Sequence, residues 1–220
     1  MPTVLITGAN RGIGLEFARQ YTHQHWRVIA TARESTPELE SLEAKVEPLE
    51  LTDVDSVARF GERLDSPLDL LIANAGTMQP TEAHTADDAR AWAEMLTVNS
   101  IAPYLLARSC LDRLAEAKGK AIAITSGMGS IGDNSSGGYV PYRTSKAALN
   151  MAWRSLAIDT RRLGITCAVL NPGWVKTRMG GPGARMTPED SVANMRRTIE
   201  RLGPDESGGF FNYDGRPYPW

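Results

Sequence analysis

Cysteine, histidine and long apolar runs are all scarce in this chain. Only two of its 220 residues are cysteine, Cys110 and Cys167, too few for a disulfide framework and without C-x-x-C spacing. A reducing cytoplasm is therefore the expected compartment, and both thiols read as small core residues. Of the three histidines, His23 and His25 stand two apart and His84 is remote in sequence, so no set has metal-ligand spacing and no metal is expected. No apolar stretch approaches the roughly 18 residues of a membrane span, and Met1-Pro2-Thr3-Val4 carries no basic region or small-residue cleavage site. Neither sign of charge dominates: 24 Lys+Arg against 26 Asp+Glu leave a net −2, without the field that recruits nucleic acid or an anionic membrane. No nucleic-acid or membrane partner is expected.

What is present is globular and periodic. Hydrophobic residues make up 42% and charged residues 23%, which excludes disorder and fibrous classes. Apolar runs at Thr3–Thr7, Trp26–Ala32, Val46–Leu51, Leu68–Ala73, Lys120–Thr125 and Ile165–Leu170 alternate with helical segments at Ile13–Thr22, Pro37–Lys45, Val54–Leu64, Ala86–Glu116, Pro141–Arg162 and Pro188–Leu202. Because the runs are continuously apolar, they read as parallel strands buried on both faces. Six βα units predict an α/β fold, one doubly wound parallel sheet with helices on both faces, and residues 1–220 as a single domain. Thr52 or Asp53, and Thr187 before Pro188, are the expected N-caps. Glycine-rich stretches at Gly8–Gly14, Ser126–Gly138 and Gly173–Gly183 fall at strand ends, where an open α/β sheet binds its ligands.

The first of these, Thr7-Gly8-Ala9-Asn10-Arg11-Gly12-Ile13-Gly14, follows a strand and opens a helix. Without Cβ atoms the backbone can turn sharply and approach a pyrophosphate, with the helix N-terminus facing the anion. No Lys-Ser/Thr follows Gly14, so the ATP-type phosphate loop is disfavoured. The second strand ends in Ala32-Arg33, and a guanidinium there together with Arg11 suits a 2′-phosphate, hence NADP(H) over NAD(H). Glu34 keeps open the alternative of a carboxylate holding a 2′-hydroxyl.

Tyr142-Arg143-Thr144-Ser145-Lys146 begins a helix in which positions i and i+4 share a face. Tyr142 could pass a proton to or from a substrate oxygen, with the ammonium of Lys146 and the positive charge of an oxidised nicotinamide both favouring phenolate. Ser126, or Ser130 in the same loop, could hold that oxygen by hydrogen bonding.

Taken together, T-G-x-x-x-G-x-G at Thr7–Gly14, Asn74-Ala75-Gly76, Asn99, Ser126, Y-x-x-x-K at Tyr142–Lys146, and Asn171-Pro172-Gly173 followed by Thr177 resemble the short-chain dehydrogenase/reductase family. The resemblance implies a catalytic tetrad of Asn99, Ser126, Tyr142 and Lys146, in which Asn99 orders a water linking Lys146 to solvent. It implies cofactor contacts at Gly8, Asn10, Arg11, Gly12, Ile13, Gly14, Arg33, Glu50, Leu51, Asn74, Ala75, Gly76, Tyr142, Lys146, Pro172, Gly173, Val175 and Thr177. Glu50 stands where the family usually has an Asp near the adenine, and Ala73 where it has a first Asn. Fifteen residues, five of them glycine, lie between Ser126 and Tyr142, a few more than the family pattern, and would reshape the substrate side.

Ser126-Gly127-Met128-Gly129-Ser130-Ile131, Tyr142–Met151 and the segment Phe210–Trp220 resemble more closely the C-factor/sniffer branch of carbonyl reductases. The implied reaction is hydride transfer between NADP(H) and a small carbonyl or alcohol substrate. The competing implication is a nucleotide-binding signalling or scaffold protein with little need for turnover. By the same resemblance the long helices would pair in a homodimer. The nine residues Arg178–Met186 between Thr177 and Thr187 predict a short mobile lid rather than a helix, with Met128, Trp174 and Met179 as substrate contacts.

Overall fold

The computed structural model describes residues 1–220 and contains one seven-stranded, fully parallel sheet in the order β3-β2-β1-β4-β5-β6-β7. Its strands are β1 (Thr3–Thr7), β2 (Arg27–Ala32), β3 (Ala44–Pro48), β4 (Leu70–Ala73), β5 (Lys120–Ile124), β6 (Thr166–Asn171) and β7 (Gly209–Asn212). The four central runs β1, β4, β5 and β6 are almost wholly buried, as their unbroken apolar character requires. Side chains alternate between two cores. Leu5, Leu71 and Ala123 face one, built on Phe60, Leu106, Leu149 and Trp153, while Val4, Ile6 and Ile122 face the other, built on Phe17, Tyr21, Met195 and Ile199.

The helices are α1 (Gly12–His23), α2 (Pro37–Glu40), α3 (Val54–Ala58), α4 (Ala86–Leu96), α5 (Ala102–Ser109), α6 (Leu111–Ala117), α7 (Val140–Asp159) and α8 (Pro188–Arg201). Asp53 caps α3 by accepting from Ser56 N at 3.1 Å, and Thr187 caps α8 by accepting from Asp190 N at 3.1 Å. Both cysteines are buried and unpaired. Burial pushes the thiol of Cys110 up to about 12 and that of Cys167 up to about 11, so both act as packing groups. No helix is long and apolar enough to cross a membrane.

Several boundaries differ from the sequence reading. The expected helix over Pro37–Lys45 is a single turn, because Ala44 onward pairs with β2 (Val28 opposite Ala44), and Pro48 sits on an edge strand where its missing N–H costs nothing. The expected helix over Val54–Leu64 stops at Ala58 and continues as a 3₁₀ turn at Phe60–Arg63, with Gly61 packed against the Ser109 carbonyl. A seventh strand, β7, joins the sheet edge beside β6 and was too short to stand out.

The expected helix Ala86–Glu116 is three pieces. Between α4 and α5 the chain widens into a π turn over Thr97–Ile101, and it breaks again at Cys110. Pro103 explains the first interruption: it has no N–H to donate to the Asn99 carbonyl four residues back. The turn carries Asn99 to the carboxyl end of β4.

Candidate active site

The glycine loop after β1 is built by contacts that only glycine permits. Gly8 has φ +66°, and a Cβ there would lie 2.9 Å from the Ala75 Cα; a Cβ at Gly14 would run into the Gly8 carbonyl. Thr7 Oγ1 accepts from the backbone N–H groups of Asn74 and Ala75 at 3.0 and 3.1 Å, and Asn74 Nδ2 donates to Thr7 O at 2.9 Å. The Asn74-Ala75-Gly76 segment is thereby locked to the loop. Asn10 Nδ2 donates to Glu34 O at 3.1 Å, which fixes the loop to the end of β2. Ile13, at the start of α1, packs its partly buried side chain against the sheet.

The amino end of α1 has no side-chain cap and no acidic residue in its first turn. Arg11 stands there with its guanidinium held below its ordinary value by burial first, then by the charges of Arg178 and Arg33. Three guanidinium groups thus crowd around an open helix N-terminus, an arrangement that a phosphate would relieve. The residues present fit a phosphorylated dinucleotide. Arg178 was missed by the sequence reading, which placed it in the lid; its approach follows from Gly12, whose Cβ would meet Thr177 Cγ2 at 3.3 Å. Arg33 has one carboxylate neighbour, Glu50 at 3.8 Å, and both side chains are largely exposed, so that pair contributes little. Glu50 Oε1 also accepts from Thr52 N at 3.1 Å, while Leu51 turns its side chain into the core and can offer a ligand only backbone.

Across the crevice, α7 presents Tyr142 and Lys146 on one buried face, 6% and 4% exposed. Ser126, just past β5, brings its hydroxyl near that of Tyr142 and accepts from Met128 N at 3.1 Å. Lys146 Nζ donates to Ile124 O at 3.0 Å. A Cβ on Gly76 would lie 3.2 Å from Asn99 Oδ1 and 3.5 Å from Lys146 Nζ, so the backbone just past β4 approaches both groups closely. The Asn99 side chain accepts from Thr77 N at 2.8 Å and donates to Thr77 O at 2.8 Å and Ser145 Oγ at 2.9 Å. Ser130 is the more distant hydroxyl: it is buried and donates to the Trp220 backbone oxygen at 3.1 Å.

Burial dominates the electrostatics of both titratable groups. Tyr142 is pushed up to about 12 by burial, with the nearby Ser126 hydroxyl pulling the other way, and the Lys146 ammonium does not draw it down. Lys146 itself is pushed down to about 8 by burial. In this state the phenol is a proton donor at neutral pH, not a phenolate.

On the far side, Val175 is buried and its carbonyl accepts from Thr177 N at 2.8 Å, while Thr177 Oγ1 accepts from Gly180 N at 3.1 Å. The lid closes on itself through Lys176 N to Met186 O at 2.8 Å and Trp174 Nε1 to Gly180 O at 2.8 Å, with no helix. Trp174 is 56% exposed, so it is not core packing beside the buried Pro172. Gly173, at φ +78°, lets Tyr213 pass within 3.1 Å of where a Cβ would stand. Two organising residues lie inside motifs that the sequence reading quoted without giving them a role. Asn171 Oδ1 accepts from Gly127 N at 3.1 Å and Gly173 N at 3.3 Å, and Asn150, one turn beyond Lys146, accepts from Thr125 Oγ1 at 2.6 Å and donates to Gly129 O at 3.2 Å. The i+4 spacing from Lys146 was the signal for Asn150.

A glycine loop at the sheet's switch point facing a serine-tyrosine-lysine cluster defines a Rossmann-type oxidoreductase. The short chain dehydrogenase family model matches residues 2–187, and the chain belongs to that family. The C-signal protein of Myxococcus xanthus is 43% identical over 155 residues, 70% of this chain and 93% of that protein. Among solved structures, carbonyl reductase Sniffer of D. melanogaster superposes with a TM-score of 0.92 at 33% identity, covering 100% of both chains. The NADPH-bound carbonyl reductase from chicken fatty liver gives 0.88 at 36% identity, covering 100% of this chain and 94% of that one. These similarities place the chain in the Sniffer and C-signal branch of the family.

Proposed function

We propose that the protein is an NADP(H)-dependent carbonyl reductase that accepts small apolar carbonyl compounds, with Asn99, Ser126, Tyr142 and Lys146 as its catalytic tetrad. The observation that carries this reading is the convergence of Ser126, buried Tyr142, buried Lys146 and Asn99 on the strand ends that also hold the glycine loop. Its support also includes the NADPH in the chicken carbonyl reductase.

When bound, the reduced nicotinamide supplies the hydride that the carbonyl carbon receives. Ser126 Oγ donates to the substrate oxygen and holds it against Tyr142. Tyr142 Oη delivers its proton to that oxygen as negative charge develops, and a phenol pushed up to about 12 is in the protonated form that reduction demands. Lys146 Nζ, which donates to Ile124 O, would orient the nicotinamide ribose. The Asn99 side chain ties α7 to the end of β4 through Ser145 and Thr77. Arg11, Arg33 and Arg178 take the phosphates, Gly8, Gly12 and Gly14 leave room for them, and Val175 and Thr177 hold the nicotinamide carboxamide. The same reading takes residues 1–220 as one domain working in the cytoplasm as a homodimer. Met151 and Ile158 on α7 and Ile101 at the π turn support the dimer, being exposed apolar side chains on the helices that would pair.

A pH profile tests the assignment. Lys146 is charged below its value of about 8 and neutral above it, whereas Tyr142 stays protonated throughout. Reduction measured as kcat/KM should therefore hold at neutral pH and fall as pH rises through Lys146's titration, about tenfold per unit well above it. A profile that stays flat to about pH 10 would remove Lys146 from the reaction.

A further inference from the structure

The segment after β7 folds back over the loop that carries Ser126. Phe211 and Pro217 form an antiparallel bridge, and Tyr218 N donates to Phe210 O at 2.8 Å. The rings of Tyr218 and Trp220 lie 4.9 and 5.5 Å from that of Phe210, itself buried in the core behind β6. From this base the segment grips the loop at three points. Trp220 O accepts from Gly132 N at 2.7 Å and from Ser130 Oγ at 3.1 Å, and Tyr218 Oη donates to Asp133 Oδ2 at 2.8 Å. The Tyr218 ring covers Gly127 so closely that a Cβ there would lie 2.6 Å from its hydroxyl. On the opposite side the loop is pinned to α7, where Gly129 sits against Lys146 and Asn150. The loop between Ser126 and α7 is otherwise glycine-rich, with Gly127, Gly129, Gly132, Gly137 and Gly138. Such a chain has high backbone entropy to lose, and it must nevertheless hold one hydroxyl against Tyr142.

We propose that Tyr218 and Trp220, through Asp133 and Gly132, are positioning residues that fix Ser126 for the reaction. They form a strap that supplies to this loop the rigidity its glycines lack. The proposal rests on the functional reading above. Neither aromatic residue is a proton donor to substrate; each acts on Ser126 by holding the loop that follows it. The Tyr218–Asp133 bond lies at the exposed rim of the loop and has a charged acceptor, so it is the one side-chain contact of the strap that a single substitution can remove.

The test is reduction of p-nitrobenzaldehyde by NADPH in Tyr218→Phe, Asp133→Ala and Asp133→Asn, each also made in a Ser126→Ala background. NADPH affinity by fluorescence titration reports on the fold. Tyr218→Phe keeps the ring and deletes one hydroxyl, so it should lower kcat about tenfold, below the ~100-fold that a full 1 Å misplacement can cost. NADPH affinity should be unchanged. Asp133→Ala should match it, and Asp133→Asn, whose amide oxygen still accepts from Tyr218, should restore most of the rate. In the Ser126→Ala background Tyr218→Phe should have no further effect, because its only route to the reaction is gone. Wild-type kcat in Tyr218→Phe would overturn the strap, and so would an equal loss with and without Ser126. Tyr142→Phe measured alongside keeps the two readings apart: if it abolishes turnover while Tyr218→Phe leaves kcat unchanged, only the strap fails.

Discussion

Tyr142→Phe is expected to lower carbonyl reduction about 10³-fold while leaving NADPH binding within about twofold of wild type, since it deletes one proton donor and no bulk. The side chain is buried and its hydroxyl lies near that of Ser126, so the phenyl ring keeps its place and no void forms. The loss falls on kcat, because the proton moves only as the oxygen gains charge. Steady-state rates with the same aldehyde, together with a fluorescence titration of cofactor, measure both halves of the expectation. Turnover near wild type would show that another group delivers the proton.

The second large effect concerns the cofactor. Arg11 and Arg33 stand at an open helix end with no acidic residue in the first turn, and Arg33 has only a long, solvent-exposed ion pair with Glu50. Hydrogen bonds to charged groups contribute about 1.5–3 kcal/mol each, so the double replacement Arg11→Ala with Arg33→Ala should weaken NADPH binding by at least ~100-fold. NADH, lacking the 2′-phosphate, should lose only a few-fold by the same reasoning. Isothermal titration with the two cofactors decides it. Equal losses for both would mean that these guanidinium groups meet the pyrophosphate alone. Arg178→Ala, made separately, shows which phosphate the third guanidinium serves.

What could be read from the sequence divides along a physical line. β1, β4, β5 and β6 were legible because a strand buried on both faces is apolar at every position, and Tyr142 and Lys146 because four residues is one helical turn. Asp53 and Thr187 were legible as caps because their side chains act within three residues. Interactions between distant segments were not. β7 is four residues long and exists because β6 offers it an edge. Arg178 reaches Arg11 only because the lid folds against Gly12, and Tyr218 meets Asp133 across 85 residues of chain. Burial is illegible for a related reason: sequence spacing shows that an ammonium is near Tyr142 but not that both groups are desolvated.

The central claim is that this chain turns over carbonyl substrates with NADPH, in contrast to a nucleotide-binding signalling or scaffold protein that keeps the fold without chemistry. The direct measurement is NADPH oxidation by the purified protein against a panel of aldehydes, ketones and quinones, with the alcohol product quantified. The account predicts one alcohol formed for each NADPH consumed, across several apolar carbonyl compounds, and loss of that activity in Tyr142→Phe. NADPH that binds with no member of the panel accelerating its oxidation would contradict it.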